Sequence, residues 1–235
     1  HPITGTIGAE VTGVDLAAPR SATDAAALRA ALARHLVLVF RDQALDLPAQ
    51  IAATAFFGPP MQLPYIAPME EAPQAIRVLK EADDRSGVFG GDWHSDMSFL
   101  AEPPAGSVLN AIEVPAAGGD TLFASQVAAW DALSPAFRDL LDGRDAIHVG
   151  KPYGVRWAPP PDRQSRGAIR MTRGDPEADQ ERAHPAVLTD PETGRRSLYL
   201  NPIYVTRIDG LSEEESRPLL DTLRIHASRP EFSMR

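Results

Sequence analysis

The alternation of hydrophobic and polar positions predicts a domain of short strands with a few helices. Residues 2–16 alternate β-branched residues with glycine, which is typical of short strands joined by turns. A helix capped by Thr23 or Asp24 is expected to run to about His35. The apolar run 36–40 follows this helix directly and predicts a buried strand.

The remaining pattern favours a β-core flanked by helices over an alternating βαβ arrangement. Further strands are expected at residues 76–79, 107–114, 122–123, 187–188 and 197–200. Helices are expected from Pro48 to about Gly58, after Ser134-Pro135 as far as Gly143, and after the capping box Ser212-x-x-Glu215. The fold class predicted from the pattern is therefore mostly β, with helices near both ends.

One long stretch, residues 151–183, shows no hydrophobic period. It contains three consecutive prolines at 159–161 and scattered charges. Irregular segments of this length in compact domains are usually lids or disordered loops. We predict that residues 151–183 form a lid, within a single domain that spans residues 1–235.

The amino-acid composition excludes some kinds of binding partner and some kinds of catalytic chemistry. The 235 residues carry 23 basic and 32 acidic side chains, a net charge of −9, which argues against nucleic acid or an anionic membrane as partner. We expect a small-molecule substrate, a cytoplasmic location and a homo-oligomer. There is no cysteine, so thiol catalysis and cysteine-ligated metals are excluded, and any metal must be held by His, Asp or Glu.

The sequence Trp93-His94-Ser95-Asp96 carries the candidate chemistry. Side chains alternate along an extended segment, so His94 and Asp96 are expected on the same side, within reach of one metal ion. One imidazole and one carboxylate are two of the three ligands in the facial triad of non-haem Fe(II) oxygenases, which leaves room for a cosubstrate and O₂. By itself a His-x-Asp pattern is weak, because short motifs occur by chance.

A facial triad needs a second, distant histidine, and none of the other five is convincing. His226 follows Leu219 and Leu223 at helical spacing, which favours a structural place on the packing face of the last helix. His148 is either a core histidine or a strand residue near the pocket, and the core interpretation is favoured. The other three are at a terminus, a helix end and before a proline: His1, His35 and His184.

Taken together, these residues resemble the taurine/2,4-dichlorophenoxyacetate dioxygenase family of Fe(II)- and 2-oxoglutarate-dependent oxygenases. The agreement runs in order through nearly the whole chain, over residues 5–16, 40–43, 56–59, 93–99, 101–104, 118–123, 132–134, 184–185 and 198–201. The resemblance implies a double-stranded β-helix, or jelly roll, with flanking helices. It also implies Fe(II) as metal, 2-oxoglutarate as cosubstrate and O₂ as oxidant.

The resemblance assigns roles to particular residues. His94 and Asp96 match two iron ligands and the catalytic pair, and Thr121 matches a residue that contacts a carboxylate of 2-oxoglutarate. Without the resemblance, Thr121 would be interpreted as a strand hydroxyl bonded to local backbone. The family's distal histidine and its 2-oxoglutarate-binding arginine are expected on strands beyond 230–232, so the C-terminal strands and the third ligand are expected to be missing from this chain.

The resemblance also bears on the substrate. Leu63 and Gly90 stand where taurine-oxidising members have a histidine and an asparagine, so taurine is not expected. The predicted reaction is hydroxylation of a small anionic compound, such as an aryloxy- or aryl-alkanoate, sulfonate or sulfate ester, with release of succinate and CO₂. Tyr153, Arg156 and Asn110 are the predicted substrate contacts.

Three other interpretations stay open at this point. The chain could be a cupin-like metalloenzyme that uses Zn²⁺ or Mn²⁺ without oxygen chemistry, a degenerate binding protein that keeps two ligands only, or a purely structural β-domain. Oxygen consumption coupled to succinate release would separate the predicted enzyme from the first of these.

Overall fold

The computed structural model describes residues 1–81, 90–157 and 169–235 of the chain. Its N-terminal part is a parallel pair of strands joined by a helix. Strand β1 (Ala9–Val11) pairs with β2 (Leu38–Phe40), and helix α1 (Ala22–His35) makes the crossover. A crossover of this length is what parallel pairing requires, because a tight turn cannot join parallel strands.

The two ends of α1 correct the predicted boundaries. Ser21, not Thr23 or Asp24, is the N-cap, and its side chain accepts a hydrogen bond from the Asp24 N–H while the Asp24 carboxylate accepts one from the Ser21 N–H. Leu36 ends the helix in the left-handed conformation (φ 67°). The strand therefore begins only at Leu38, and it is half-buried, so the prediction of a buried strand over 36–40 was wrong in extent and burial.

The central sheet has three antiparallel strands. Strand β4 (Asp145–His148) lies between β5 (Arg182–Pro185) and β8 (Val205–Ile208). Two smaller pairs accompany it, the hairpin of β6 (Val187–Thr189) with β7 (Arg196–Leu198) and the pair of β3 (Phe123–Ala124) with β9 (Ser233–Met234). The hairpin was predicted from the pattern, and the short strand predicted at 122–123 begins one residue later, at Phe123.

The described residues contain four further helices, each begun by a side-chain cap. They are α2 (Leu47–Thr54), α3 (Gln126–Asp131), α4 (Pro135–Leu141) and α5 (Glu213–Ala227). The caps of α4 and α5 are the predicted Ser134 and Ser212. Helix α2 ends at Thr54, four residues before the predicted end at Gly58.

Two predicted strands are wrong. Residues 76–79 and 107–114 are irregular in the structure, and their apolar side chains are largely exposed, with Val78 at 57% and Ile112 at 89%. Within 151–183, the described residues include a 3₁₀ turn (Pro176–Asp179) and the start of β5. The three prolines at 159–161 lie outside the described residues.

The buried side chains form two clusters. The main core joins α3, α5 and the sheets through residues that include Ala129, Trp130, Leu141, Ile208, Leu220 and Leu223. The second cluster surrounds the candidate metal-binding segment and is aromatic; its largest members are Tyr65, Phe99, Tyr153 and Tyr204. A core beneath that segment gives it a fixed support.

The strands are two to four residues long, and those described belong to four separate sheets, so no closed barrel is formed within the described residues. The prediction of a β-core with flanking helices is confirmed in this coarse form. Among the described residues, no helix combines the length and apolar character needed to span a bilayer.

Candidate active site

His94 and Asp96 face each other, as their spacing predicted. His94 Nε2 lies 3.3 Å from Asp96 Oδ1. Residues 93–95 have no regular secondary structure, and a turn begins at Asp96. Two atoms bound side by side to one ion at about 2.1 Å are themselves about 3 Å apart. The pair is therefore spaced as two neighbouring ligands of a single metal ion would be.

The orientation of the His94 ring is fixed on its other side. Nδ1–H donates a hydrogen bond to the Asp92 carbonyl oxygen at 2.7 Å. When the Nε2 proton that bonds to Asp96 is lost, the proton on Nδ1 stays on this carbonyl and the lone pair of Nε2 is on the side of Asp96. Metal-binding histidines commonly use such a bond to a carbonyl to fix the tautomer and the ring plane. This donor set fits a divalent first-row metal, and His94 and Asp96 are the residues that would hold it.

A serine orients the carboxylate of Asp96. Ser107 Oγ donates to Asp96 Oδ2 at 3.0 Å, which leaves Oδ1 toward His94. The hydrogen bond with His94 is the main cause that lowers the pKa of Asp96, assisted by Ser107 against the opposing effect of burial. The same bond raises the pKa of His94. A metal would displace that shared proton, because ligands must be deprotonated to bind.

Gly90 stands close against the His94 ring. Its φ of +70° is in the left-handed region, and a Cβ placed there would lie 3.2 Å from His94 Cε1. A larger residue would therefore press on the imidazole. Leu63, the other position predicted to face the substrate, packs against the aromatic cluster.

Residues 95–100, on both sides of Asp96, are held by side chains from three other parts of the chain. Asn201 Nδ2 donates to the Ser95 carbonyl, His148 Nδ1 is hydrogen-bonded to Ser98 Oγ at 2.9 Å, and His184 Nε2–H donates to the Leu100 carbonyl at 2.9 Å. His148 is fully buried, which agrees with the favoured core interpretation. Sequence reasoning missed these contacts, although His184 and Asn201 both lie in segments that carry the family resemblance.

Thr121 lies just before β3 and is exposed. The adjacent Asp120 forms an ion pair with Arg235 at 2.7 Å. Within the described residues, the Thr121 hydroxyl has no hydrogen bond, so the alternative of a hydroxyl bonded to local backbone has no support. Its contact with 2-oxoglutarate stays a prediction.

Tyr153 is 3% exposed and belongs to the aromatic cluster. Its ring stacks on Tyr65 with centroids 5.2 Å apart, and its hydroxyl lies 3.5 Å from that of Tyr204. Burial is the main cause that raises the pKa of both phenols, and the negative charge of Asp96 adds to it. The two phenols therefore lie close enough to Asp96 for its charge to affect their pKa.

The other two predicted substrate contacts are more peripheral. Arg156 is exposed, stacks over Trp157 at 4.4 Å and reaches Glu213 at 3.9 Å. Asn110 Nδ2 donates to the Leu45 carbonyl at 3.2 Å. The described contacts join neither residue to the ligand pair, and their substrate roles stay predictions.

No third histidine, aspartate or glutamate joins His94 and Asp96 in a cluster within the parts of the chain that the structure describes. An imidazole and a carboxylate that face each other are two of the three protein ligands found in facial-triad sites of mononuclear non-haem iron enzymes. The chain belongs to the taurine catabolism dioxygenase TauD, TfdA family, whose model matches residues 1–235.

Individual relatives agree with this assignment. The chain is 33% identical to an alpha-ketoglutarate-dependent sulfate ester dioxygenase of Pseudomonas putida, over all of the chain and 76% of that protein. It is 32% identical to an (S)-phenoxypropionate/alpha-ketoglutarate-dioxygenase of Sphingobium herbicidovorans, over 97% of the chain and 79% of that protein. The crystal structure of a taurine dioxygenase from Burkholderia xenovorans matches with a TM-score of 0.73 at 30% identity, over 99% of the chain and 74% of that structure.

The predicted class is thereby confirmed, an oxidoreductase of the Fe(II)- and 2-oxoglutarate-dependent dioxygenase type that uses O₂. The family assignment favours this class over a non-oxygenase metalloenzyme, a binding module or a structural domain.

Proposed function

We propose that this chain catalyses 2-oxoglutarate-dependent hydroxylation of a small anionic organic compound, with a sulfate ester as the first candidate substrate. The observation that carries the proposal is the facing of His94 Nε2 and Asp96 Oδ1 at 3.3 Å, with both atoms oriented by bonds on their far sides. The candidate substrate follows from the likeness to the sulfate ester dioxygenase of P. putida. An aryloxyalkanoate is the second candidate, from the likeness to the phenoxypropionate enzyme.

Each residue of the site has a stated task in this proposal. His94 and Asp96 hold the iron, which supplies O₂ activation coupled to 2-oxoglutarate decarboxylation. Asp92 and Ser107 keep the two ligating atoms turned toward each other. Thr121 donates its hydroxyl to a carboxylate of 2-oxoglutarate. The third ligand is a histidine distant in sequence, as the family resemblance implies.

The aromatic cluster supports an organic rather than a purely polar substrate. Phe99 follows Asp96 by three residues, and its ring packs against those of Tyr153 and Tyr204. An apolar wall beside a metal centre fits the alkyl or aryl part of an ester, while cationic and hydrogen-bonding groups at the rim would bind its anion. We assign the binding of the substrate anion to Arg156 and Asn110.

The described ends of segment 151–183 lie on the substrate side in this proposal. Asp179 Oδ2 accepts hydrogen bonds from the backbone N–H groups of Val155 and Arg156, at 2.8 and 3.0 Å. Met171 bridges to Ile66 next to Tyr65. The Asp179 bonds join the two ends of the segment to each other, and Tyr153, Ala178 and Met171 attach the segment to the aromatic cluster, which supports a covering role. The jelly-roll arrangement of the whole is likewise proposed, on the TM-score of 0.73 with the taurine dioxygenase structure.

A substrate panel tests the function. The chain is supplied with Fe(II), 2-oxoglutarate and O₂ and offered alkyl sulfates, sulfonates, aryloxyalkanoates and amino acids, with succinate as the readout. We expect succinate above the substrate-free background with a sulfate ester, and none without O₂. Product formation in the absence of O₂ would support a hydrolytic metalloenzyme instead. Asp96→Asn is the control that separates enzyme-bound from free iron.

We also propose a homo-oligomer, and a cytoplasmic location, for which an acidic composition is ordinary. Light scattering after size-exclusion chromatography tests the first part, and a molar mass at the 25.3 kDa of one chain would refute it.

A further inference from the structure

A left-handed residue directly follows the metal-binding carboxylate. Met97 has a φ of +49° and is 2% exposed. For a residue with a side chain this conformation is strained, and it persists only where the surrounding structure holds it in place. Because the turn at Met97 sets the direction of Asp96, whatever holds the turn also holds the ligand.

Two features can hold it. The side chain of Met97 packs in the aromatic cluster. The next residue, Ser98, is fully buried, and its hydroxyl is bonded to His148 Nδ1 at 2.9 Å. The first contact is nonspecific packing. The second is a directional bond to a residue 50 positions away in sequence.

His148 is well suited to act as a fixed anchor. It ends β4, the central strand, which is paired on both sides. The β4–β8 register shifts between Ile147 and His148, and irregularities of this kind re-aim a side chain. The imidazole stacks on Tyr199 at 5.2 Å and meets His184 edge-on at 5.2 Å.

His184 extends the same support by one more contact. Its Nε2–H donates to the Leu100 carbonyl, while the ring packs against His148. Two imidazoles from adjacent antiparallel strands therefore hold residues 98 and 100. His148 Nε2, by contrast, is buried with no hydrogen-bond partner among the described residues. A buried histidine with only one of its nitrogens hydrogen-bonded contributes less to stability than an apolar side chain would, because buried polar atoms are normally paired.

We propose that His148 is a positioning residue of the metal site: through Ser98 it holds the left-handed turn at Met97 and so keeps the Asp96 carboxylate opposite His94 Nε2. The inference rests on the proposed roles of His94 and Asp96 as ligands. It adds a distant residue that contacts neither the metal nor the substrate.

The test measures Mn²⁺ binding to the full chain by calorimetry, without cosubstrate or turnover. His148→Phe and Ser98→Ala each remove one end of the bond, and we expect both to weaken Mn²⁺ binding by about tenfold or more, the range seen when outer-shell partners of metal ligands are lost. His148→Asn places an amide near the position of Nδ1 and should retain more affinity than His148→Gln, which places it near Nε2.

His226→Phe is the matched control. His226 is also a buried histidine, 9% exposed, and it donates from Nε2–H to the Ala129 carbonyl at 2.8 Å in the main core. This variant should lower the melting temperature but leave Mn²⁺ affinity within about twofold, because that bond does not reach the metal segment. Hydrogen exchange of peptide 94–100 should rise in Ser98→Ala and stay unchanged in His226→Phe.

The outcomes separate the two proposals. If His148→Phe and Ser98→Ala bind Mn²⁺ like the unsubstituted chain, His148 is only a core residue and the inference is overturned. If His148→Phe does not fold, the Mn²⁺ affinity of Ser98→Ala, which loses only one hydroxyl, decides whether the inference holds. If Asp96→Asn binds Mn²⁺ as tightly as the unsubstituted chain, the ligand assignment itself fails, and the inference fails with it.

Discussion

Ser107 donates a hydrogen bond to Asp96 Oδ2 at 3.0 Å, on the side of the carboxylate away from His94. The two residues are eleven positions apart, and Ser107 lies in a segment without secondary structure. A carboxylate with one oxygen engaged in this way can present only the other to a metal. The ligand geometry therefore depends on a loop residue as well as on the His-x-Asp spacing.

This relationship predicts the effect of Ser107→Ala. The substitution leaves the Asp96 carboxylate free to rotate, so we expect Mn²⁺ affinity to fall by about tenfold. This is the lower end of the loss in affinity seen when a hydrogen-bond partner of a metal ligand is removed. Ser107→Thr keeps the hydroxyl and should bind nearly as well as the unsubstituted chain. Calorimetric titration of the three proteins makes the comparison, and equal affinity for Ala and Thr would remove Ser107 from the site.

Gly90→Ala tests the close approach to the imidazole. Its Cβ would lie 3.2 Å from His94 Cε1 at a φ of +70°, so both backbone strain and contact are introduced. The strain alone should cost about 1–2 kcal/mol of stability, the penalty of the left-handed region for a residue with a Cβ. The displaced ring should, in addition, weaken metal binding.

Gly13→Ala isolates the strain. Gly13 has nearly the same φ, +72°, but a Cβ there would meet nothing within 4 Å. Denaturant titration should show similar losses for the two variants, while only Gly90→Ala loses Mn²⁺ affinity. A metal affinity reduced equally in both would mean that the effect of Gly90 is not local.

The helices predicted correctly from the sequence are those whose signals are local. Ser134 caps α4, and Ser212 with Glu215 forms the capping box of α5, through bonds that span three residues. Such bonds depend on nothing distant in the chain, so the sequence suffices to predict them. The strands proposed at 76–79 and 107–114 failed for the opposite reason, because an apolar run forms a strand only where a partner strand is available.

The residues of the candidate site also fall into two groups, those close together in sequence and those that only folding brings together. His94 and Asp96 are two residues apart and lie side by side, although the segment is not a strand and a turn begins at Asp96. Ser107 and His148 are 11 and 50 residues from their hydrogen-bond partners Asp96 and Ser98, so only the folded chain shows these contacts. The family resemblance supplied what periodicity could not, namely the dioxygenase class and a role for Thr121.

Arg156→Ala should act on substrate binding and not on stability. Its ion pair with Glu213 is long, at 3.9 Å, and the two side chains are 63% and 50% exposed. Ion pairs this exposed contribute little to stability. If Arg156 binds the substrate anion, KM should rise severalfold with kcat nearly unchanged, the signature of lost uniform binding. Glu213→Gln is the control, because it removes the partner but keeps the guanidinium. An unchanged KM in Arg156→Ala would withdraw the assignment.

Burial of His148 predicts a pH dependence of folding. Burial, with a smaller effect of the neighbouring His184, lowers the pKa of His148 to about 3 from its usual value near 6.5. Between these values the unfolded chain binds a proton that the folded chain does not, so stability is complete above about pH 6.5 and falls as the pH decreases. One group can contribute a slope of up to about 1.4 kcal/mol per pH unit in that window.

The contribution of His148 is measured as a difference. Denaturant titrations are run on the unsubstituted chain and on His148→Phe at pH 7, 6 and 5. The two proteins have every other titratable group in common, including His184 and the Tyr199 phenol that contact the His148 ring. The free energy of unfolding should fall more steeply toward pH 5 in the unsubstituted chain, because Phe cannot take up the proton. Parallel curves for the two proteins would show that His148 is protonated equally in the folded and unfolded states, contrary to its burial between β5 and β8.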